Sequence, residues 1–368
     1  MRLFVVVLFG LFLSGNAYAQ EVSRRDLREA WNDRMDDGPY DEALSEAADA
    51  YGQNLLEDWH PRRVARIFER TAARLDRENS DPVLTARNYR RSAELLFDNG
   101  YYDFAPDRQM IDRGLAALRT AGDGDDAFDE RMRLLALRAQ NWDFGDGDRD
   151  SSGSILAAMN SRGLNSHLVA PDAARMNGLS AYFDGDEIVA ASWFVASWIY
   201  ADRMGENLPE AQHRMAEAWG RAAIQGEQNR REAIQLELVK TGVCSVADQT
   251  CIPSSSNRFG FTSPYVPTEC MAARPPVLRP RSFSSGYDLD AVYLIEFDVD
   301  VAGRVQNEAF LYPSENDRPH FTVLRTISRL DFPARTDPSR CQNMLALIGF
   351  SNVDIPLDPH DYLNPRSQ

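Results

Sequence analysis

Lysine is nearly missing from this sequence: Lys240 stands alone against 39 arginines in 368 residues. The arginine excess is uniform along the chain and reads as coding bias, so what the absence excludes is a lysine-centred active site. A basic surplus is missing as well. The formal net charge of −16 argues against nucleic acid, whose binding is driven by Lys and Arg replacing condensed counterions, and against docking on anionic lipid. Residues 273–368 hold 10 Arg and 13 Asp plus Glu, leaving −13 for the first three quarters. Histidine is sparse too. His60, His167, His213, His320 and His360 are scattered, with no H-E-x-x-H and no G-x-S-x-G elbow, so each reads as a surface or core histidine rather than a general base. Carboxylates are plentiful, and a pair such as Glu296 with a helical Asp remains the enzymatic alternative: a periplasmic carboxylate-dependent hydrolase.

Long apolar runs are also scarce. The one at Leu3 to Leu13 follows Arg2 and precedes Ala17-Tyr18-Ala19, the pattern of a secretory signal (residues 1–19) with a mature start at Gln20. It is shorter than the roughly 20 residues a spanning helix needs. The sequence therefore predicts export to the periplasm and no membrane insertion after cleavage; a retained anchor is the alternative.

Only four cysteines are present, and in an exported chain an even number predicts disulfides. Cys244 and Cys251 close the short loop "CSVADQTC", which leaves Cys270 for Cys341. Zinc is disfavoured, because no Cys-x-x-Cys or neighbouring His provides ligand spacing.

What the sequence does have is helical periodicity over residues 20–242. Leu44, Ala47, Ala48, Tyr51 and Leu55 fall on one face, and after Pro61 so do Val64, Ile67, Phe68 and Leu75. The helix pair returns at an offset of about 42 residues, as stacked repeats do. Leu96, Gly100, Tyr101 and Ala117 resemble a tetratricopeptide unit, and the resemblance implies stacked helical hairpins. Trp193, Phe194, Trp198 and Tyr200 read as core. Asp146, Asp148 and Asp150 alternate as the first ligands of a calcium loop do, but Ser151 and Ala157 stand where its glycine and bidentate glutamate belong, which makes them a weak candidate beside a solvated acidic loop. No metal and no cofactor is expected.

Residues 243–272 lose the helical period to Pro, Ser, Gly and three cysteines, and read as a disulfide-bearing linker between domains. In residues 273–368 the pattern becomes alternation. Tyr293, Ile295, Phe297 and Val299 share one face of a strand. Glu296, Asp298 and Asp300 share the other, which reads as solvated. Ala302-Gly303 supplies a turn, residues 305–312 return, Phe321, Leu324, Ile327 and Leu330 have helical spacing up to Phe332-Pro333, and residues 344–350 form a third strand.

This order, with F-x-V-D-x-x-G-x-V at Phe297 to Val305 and the helix ending in Phe-Pro, resembles the carboxy-terminal domain of the TonB family of periplasmic energy transducers over about 80 residues. The resemblance implies a β-β-α-β domain that engages short segments of envelope proteins beside its last strand. Carried onto this chain, that edge is Met344, Leu345, Ala346, Leu347, Ile348, Gly349 and Phe350. A transducer resembles a membrane-anchored rod with a proline-rich spacer, whereas this chain has a signal and helical repeats. The expectation is thus an α+β chain, a tetratricopeptide-like helical repeat followed by a TonB-like domain, that is no enzyme and captures a protein or peptide partner by strand addition. An anchored transducer with an uncleaved signal is the alternative, and the sequence leaves the oligomeric state open.

Overall fold

Helices form here where an apolar period meets a starting residue. Ser23 opens α1 (Arg24–Asp37) with a reciprocal box: Asp26 N–H donates to Ser23 Oγ at 3.2 Å and Ser23 N–H to Asp26 Oδ2 at 3.3 Å, which satisfies two amides that the helix itself leaves unbonded. Pro61 opens α3 (Pro61–Arg77) at the one position where its missing N–H costs nothing. The computed structural model describes residues 23–57, 61–98, 104–140, 149–224, 228–245, 291–312 and 341–350, with isolated positions at 251–253, 259, 261, 270, 324, 327–328, 330 and 332–334. The signal-like residues 1–19 and the tail after Phe350 lie outside them.

The chain divides into two compact units, residues 1–122 and 123–368. The first contains α1, α2 (Glu42–Glu57), α3, α4 (Pro82–Asp98) and α5 (Phe104–Ala117), each packed on the next in sequence. Its core is the set of stripes read from the period: Leu44, Ala48, Leu55, Val64, Ile67, Phe68 and Leu75, joined by Trp31 and Leu84. Each such buried side chain contributes about 1.5–3 kcal/mol over its exposed state. Polar crossbars fix how the helices register. Trp31 Nε1 donates to Thr71 Oγ1 at 3.0 Å, Asn88 Nδ2 to Ser45 Oγ at 2.9 Å, and Arg91 pairs with Asp49. Of the tetratricopeptide-like residues, Leu96 lies on α4 and Ala117 ends α5; Gly100 and Tyr101 are outside the described residues.

The second unit contains α6 (Asp125–Gln140), α7 (Arg149–Ser161), α8 (Ala170–Phe183), α9 (Glu187–Met204), α10 (Glu210–Ile224) and α11 (Gln228–Lys240), followed by a sheet. Helix α9 is its axis, with α8, α10 and α11 all packed against it. Phe194, Trp198 and Tyr200 are buried there, as the sequence predicts, and Trp193 is half-buried. The approach of α8 is close enough that a Cβ on Gly178 would lie 2.5 Å from the Phe194 ring. Only glycine fits that crossing.

Strands β1 (Ala291–Val299), β2 (Val305–Tyr312) and β3 (Met344–Phe350) form an antiparallel sheet in the order β2-β1-β3. Together with eleven α-helices among the described residues, this makes an α+β chain. The expected helix after β2 is described at a few positions, where Ser328 N–H donates to the Leu324 carbonyl at 2.8 Å, a helical turn.

One expectation changes: β1 is buried on both faces. Tyr293, Ile295, Phe297 and Val299 meet Ile327, Phe332, Met344 and the cysteine pair Cys270 and Cys341, as the alternation suggests. The opposite face carries Val292 and Leu294, buried with Leu345 in the core that α6–α11 build, and Glu296 on that face is only 16% exposed. The two compact units meet at residue 122, inside the stretch expected as one helical domain, and the sheet belongs to the second. The reason is the same: a sheet that shares its core with α6–α11 does not form a unit apart from them.

Candidate functional site

The sheet's outer strand is the place where the sequence puts binding, and its setting can be built residue by residue. The hairpin comes first. Asp300 turns the chain by accepting from Ala302 N–H at 2.8 Å and Arg304 N–H at 2.9 Å with Oδ1, while Oδ2 takes Gln306 Nε2 at 3.0 Å. These bonds, foremost that from the Arg304 amide, hold its carboxyl below the usual aspartate range. Gly303 follows at φ +80°, and a Cβ there would lie 2.0 Å from the Phe332 carbonyl oxygen. The Asp, the Gly and the Phe-Pro of the motif are therefore one structural device: they set the turn and lock it under the chain that follows the helix.

Asp298 then anchors the start of β3. Asn343 N–H donates to Asp298 Oδ1 at 2.8 Å, and Asn307 Nδ2 donates to Oδ2 at 2.8 Å. Cys341, two residues upstream of Asn343, lies 5.7 Å from Cys270 between Cα atoms and bonded to it. Cys244 and Cys251 are bonded likewise, 5.8 Å apart. Bonded cysteine pairs of this kind fit an oxidising, exported environment. Among the described residues no helix is long and apolar enough to cross a membrane.

Strand β3 pairs with β1 without interruption, from Phe297 opposite Met344 to Ala291 opposite Phe350. Which of its backbone groups remain available follows from parity. Asp300 N–H donates to the Arg304 carbonyl at 2.9 Å, so Asp300 faces the β2 side. Counting back along β1, even-numbered residues turn their amides toward β2 and odd-numbered residues toward β3. The odd residues Tyr293, Ile295 and Phe297 stand opposite Ile348, Ala346 and Met344, whose N–H and C=O groups are spent on β1. Those of Leu345, Leu347 and Gly349 point away from it. Among the described residues no strand lies on that side.

Side chains support the same strand from below. Leu345 is buried and Leu347 half-buried in the α6–α11 core, where α10 runs against β3 and β1. Met344 is buried on the other face with Ala346 packed beside it; the side chains of Ile348, Gly349 and Phe350 are outside the described residues. Opposite Leu345, Glu296 receives Arg214 Nη2 of α10 at 2.8 Å. Burial raises its carboxyl above the usual glutamate range, against the opposing pull of Arg214. Glu296 is thus a tie between sheet and helix, which alternation alone does not reveal because its partner lies 82 residues away.

Asp298, two residues along the same strand, pushes the Glu296 carboxyl in the same direction as burial. Among the described residues Asp49 is the other carboxyl that burial holds high, and it sits in the first unit against Arg91. Helix α10 carries His213, Glu217 and Arg221 at four-residue spacing, all buried. The Glu217 carboxylate accepts from Arg221 Nε at 2.6 Å, and the guanidinium lies 5.1 Å over the Trp198 ring; this is an interior ion pair, invisible to motif reading. Of the other histidines, His167 pairs with Asp129 at 3.3 Å, while His60, His320 and His360 are outside the described residues. So are Asp146 and Asp148. Asp150 lies in α7, which runs on through Ser151 and Ala157, the positions at which a calcium loop would have to wrap its ion.

Comparison with known proteins adds no name to this geometry. No family model, curated protein or solved structure matches the chain.

Proposed function

We propose that this is an exported, non-enzymatic interaction protein whose last strand accepts an extended segment of a cell-envelope protein. The observation that carries the reading is β3 itself: paired on one side, bare of any described strand on the other, and built from "MLALIGF", which has neither a charge nor a proline. Sheet edges that stay exposed are ordinarily protected by charges, prolines or bulges. An edge without those devices is suited to being covered. Strand addition would use the outward amides and carbonyls of Leu345, Leu347 and Gly349 for affinity and the alternation of the guest's side chains for selectivity. The likeness to the TonB carboxy-terminal domain supports the same mode, and the periplasm is the compartment that the signal-like start and the cysteine pairs favour. Force transmission is not part of the proposal, since the helical units take the place of a spacer.

Leu347→Pro is the test. By the parity above, the proline removes an outward donor and leaves the β1 ladder its bonds. Affinity-tagged protein is expected to recover a set of envelope proteins that the variant loses, with a cooperative thermal melt lowered only by the lost packing of half-buried Leu347 and with near-ultraviolet circular dichroism retained. A folded variant that recovers the same set removes the edge from the account.

A further inference from the structure

We propose that the solvent face of α3 docks an acidic helical segment of a partner protein. This surface is independent of the β3 edge. Helix α3 divides cleanly. Val64, Ala65, Ile67, Phe68, Thr71, Ala72 and Leu75 are buried, while Arg63, Arg66, Arg70 and Arg77 are exposed on the other side. Steps of three, four and seven residues place these four on one line, about 21 Å long at 1.5 Å per residue. None of the four is bonded or ion-paired to a described residue. Arg74, beside the line, is engaged by Tyr40 and by Glu78 at 3.4 Å.

The stripe runs against the habit of the chain. Elsewhere its helices pair opposite charges one turn apart, as in Arg25–Glu29, Arg90–Glu94 and Arg133–Asp129. Here like charges stand one turn apart, an arrangement that weakens a helix in water. It does so in a protein of net charge −16. An external anion removes that repulsion, and guanidinium groups engage carboxylates in two-point contacts.

The size of the anion follows from the surroundings. Asp33, Asp36 and Asp37 of α1, with Asp41, Glu42 and Glu46 at the start of α2, are exposed in the same unit. The net charge of −16 disfavours a flat anionic bilayer or a duplex, either of which would extend far beyond the stripe. A helix bearing Glu or Asp at steps of three and four matches the spacing of the stripe.

The probe is a labelled helical peptide of about three heptads with Glu at the first and fourth position of each, and the same peptide with Gln as control. Fluorescence anisotropy against the full chain is expected to show binding of the Glu peptide only, weakening as salt is raised through the physiological range. The Arg66→Glu/Arg70→Glu double variant should weaken it by about tenfold or more, with an unchanged thermal melt because both side chains are solvent-exposed. Should reversal disturb folding, Arg66→Gln/Arg70→Gln reads the same loss. The proposal is overturned by no binding of the Glu peptide, by equal binding of the Gln peptide or of the variants, by tighter binding of phosphatidylglycerol vesicles or duplex DNA, or by self-association in sedimentation that the variants abolish.

Discussion

The two units solve burial differently. In the first, α2 and α3 each bury one stripe and show the other to water; α3 is the extreme, apolar on one side and arginine on the other. In the second, α9 is buried at nearly every position from Ala190 to Ala201, and β1 is buried on both faces. A one-sided element announces its orientation in its sequence. A two-sided one does not, and it binds together parts of the chain that are far apart.

Disulfide removal should sharpen that contrast most. Cys270 and Cys341 are 71 residues apart, and the chain-entropy account of such a loop gives about 4 kcal/mol. Replacing both with serine is expected to lower the denaturation midpoint of the second unit by that order, while signals from Trp31 in the first unit stay in place. Equal loss in both units would show that they do not fold separately.

Glycine substitutions give the next effect. Gly303→Ala puts a Cβ at positive φ against the Phe332 carbonyl, backbone that cannot step aside, and should cost about 3 kcal/mol. Gly52→Ala in α2 meets side chains, Val64 Cγ1 at 2.9 Å and the Phe68 ring at 3.4 Å, and a better helix former offsets part of the crowding, so about 1 kcal/mol is expected. Urea melts of the two variants decide the order; a reversed order would place the strained packing in the first unit.

A smaller effect separates two carboxylates of one strand by the sign of their pH dependence. Asp300 is held low, so its stabilisation is present above the unfolded value and is lost as pH falls through the folded one. Glu296 is held high, so the stability linked to its proton is present below the unfolded value and is lost as pH rises through the folded one. Melts between about pH 3 and 6 should therefore flatten in opposite senses for Asp300→Asn and Glu296→Gln. The same slope in both variants would contradict the environments described.

The same contrast explains what the sequence could tell. The hairpin at Ala302-Gly303, the three strands, the cysteine pairing and the stripes of α2 and α3 are local patterns, and they were legible. Glu296 read as solvated because alternation reports which side of a strand a residue occupies, not whether a helix lies against that side; Arg214 supplies the missing half from α10. The break at residue 122, "AGDGDD", reads as one more loop between helices, and only the core that Val292, Leu294 and Leu345 share with α6–α11 shows that the sheet belongs with the second unit. At the site, the strand was readable but its outward set was not: Leu345, Leu347 and Gly349 emerge only once the side on which Asp300 bonds is known.

Amide hydrogen exchange along β3, resolved residue by residue in the free protein, tests the central claim most directly. The account predicts slow exchange at Met344, Ala346 and Ile348, which face β1, and fast exchange at Leu345, Leu347 and Gly349. Protection of both sets before any partner is added would mean that the edge is already occupied within the molecule, contradicting the proposal.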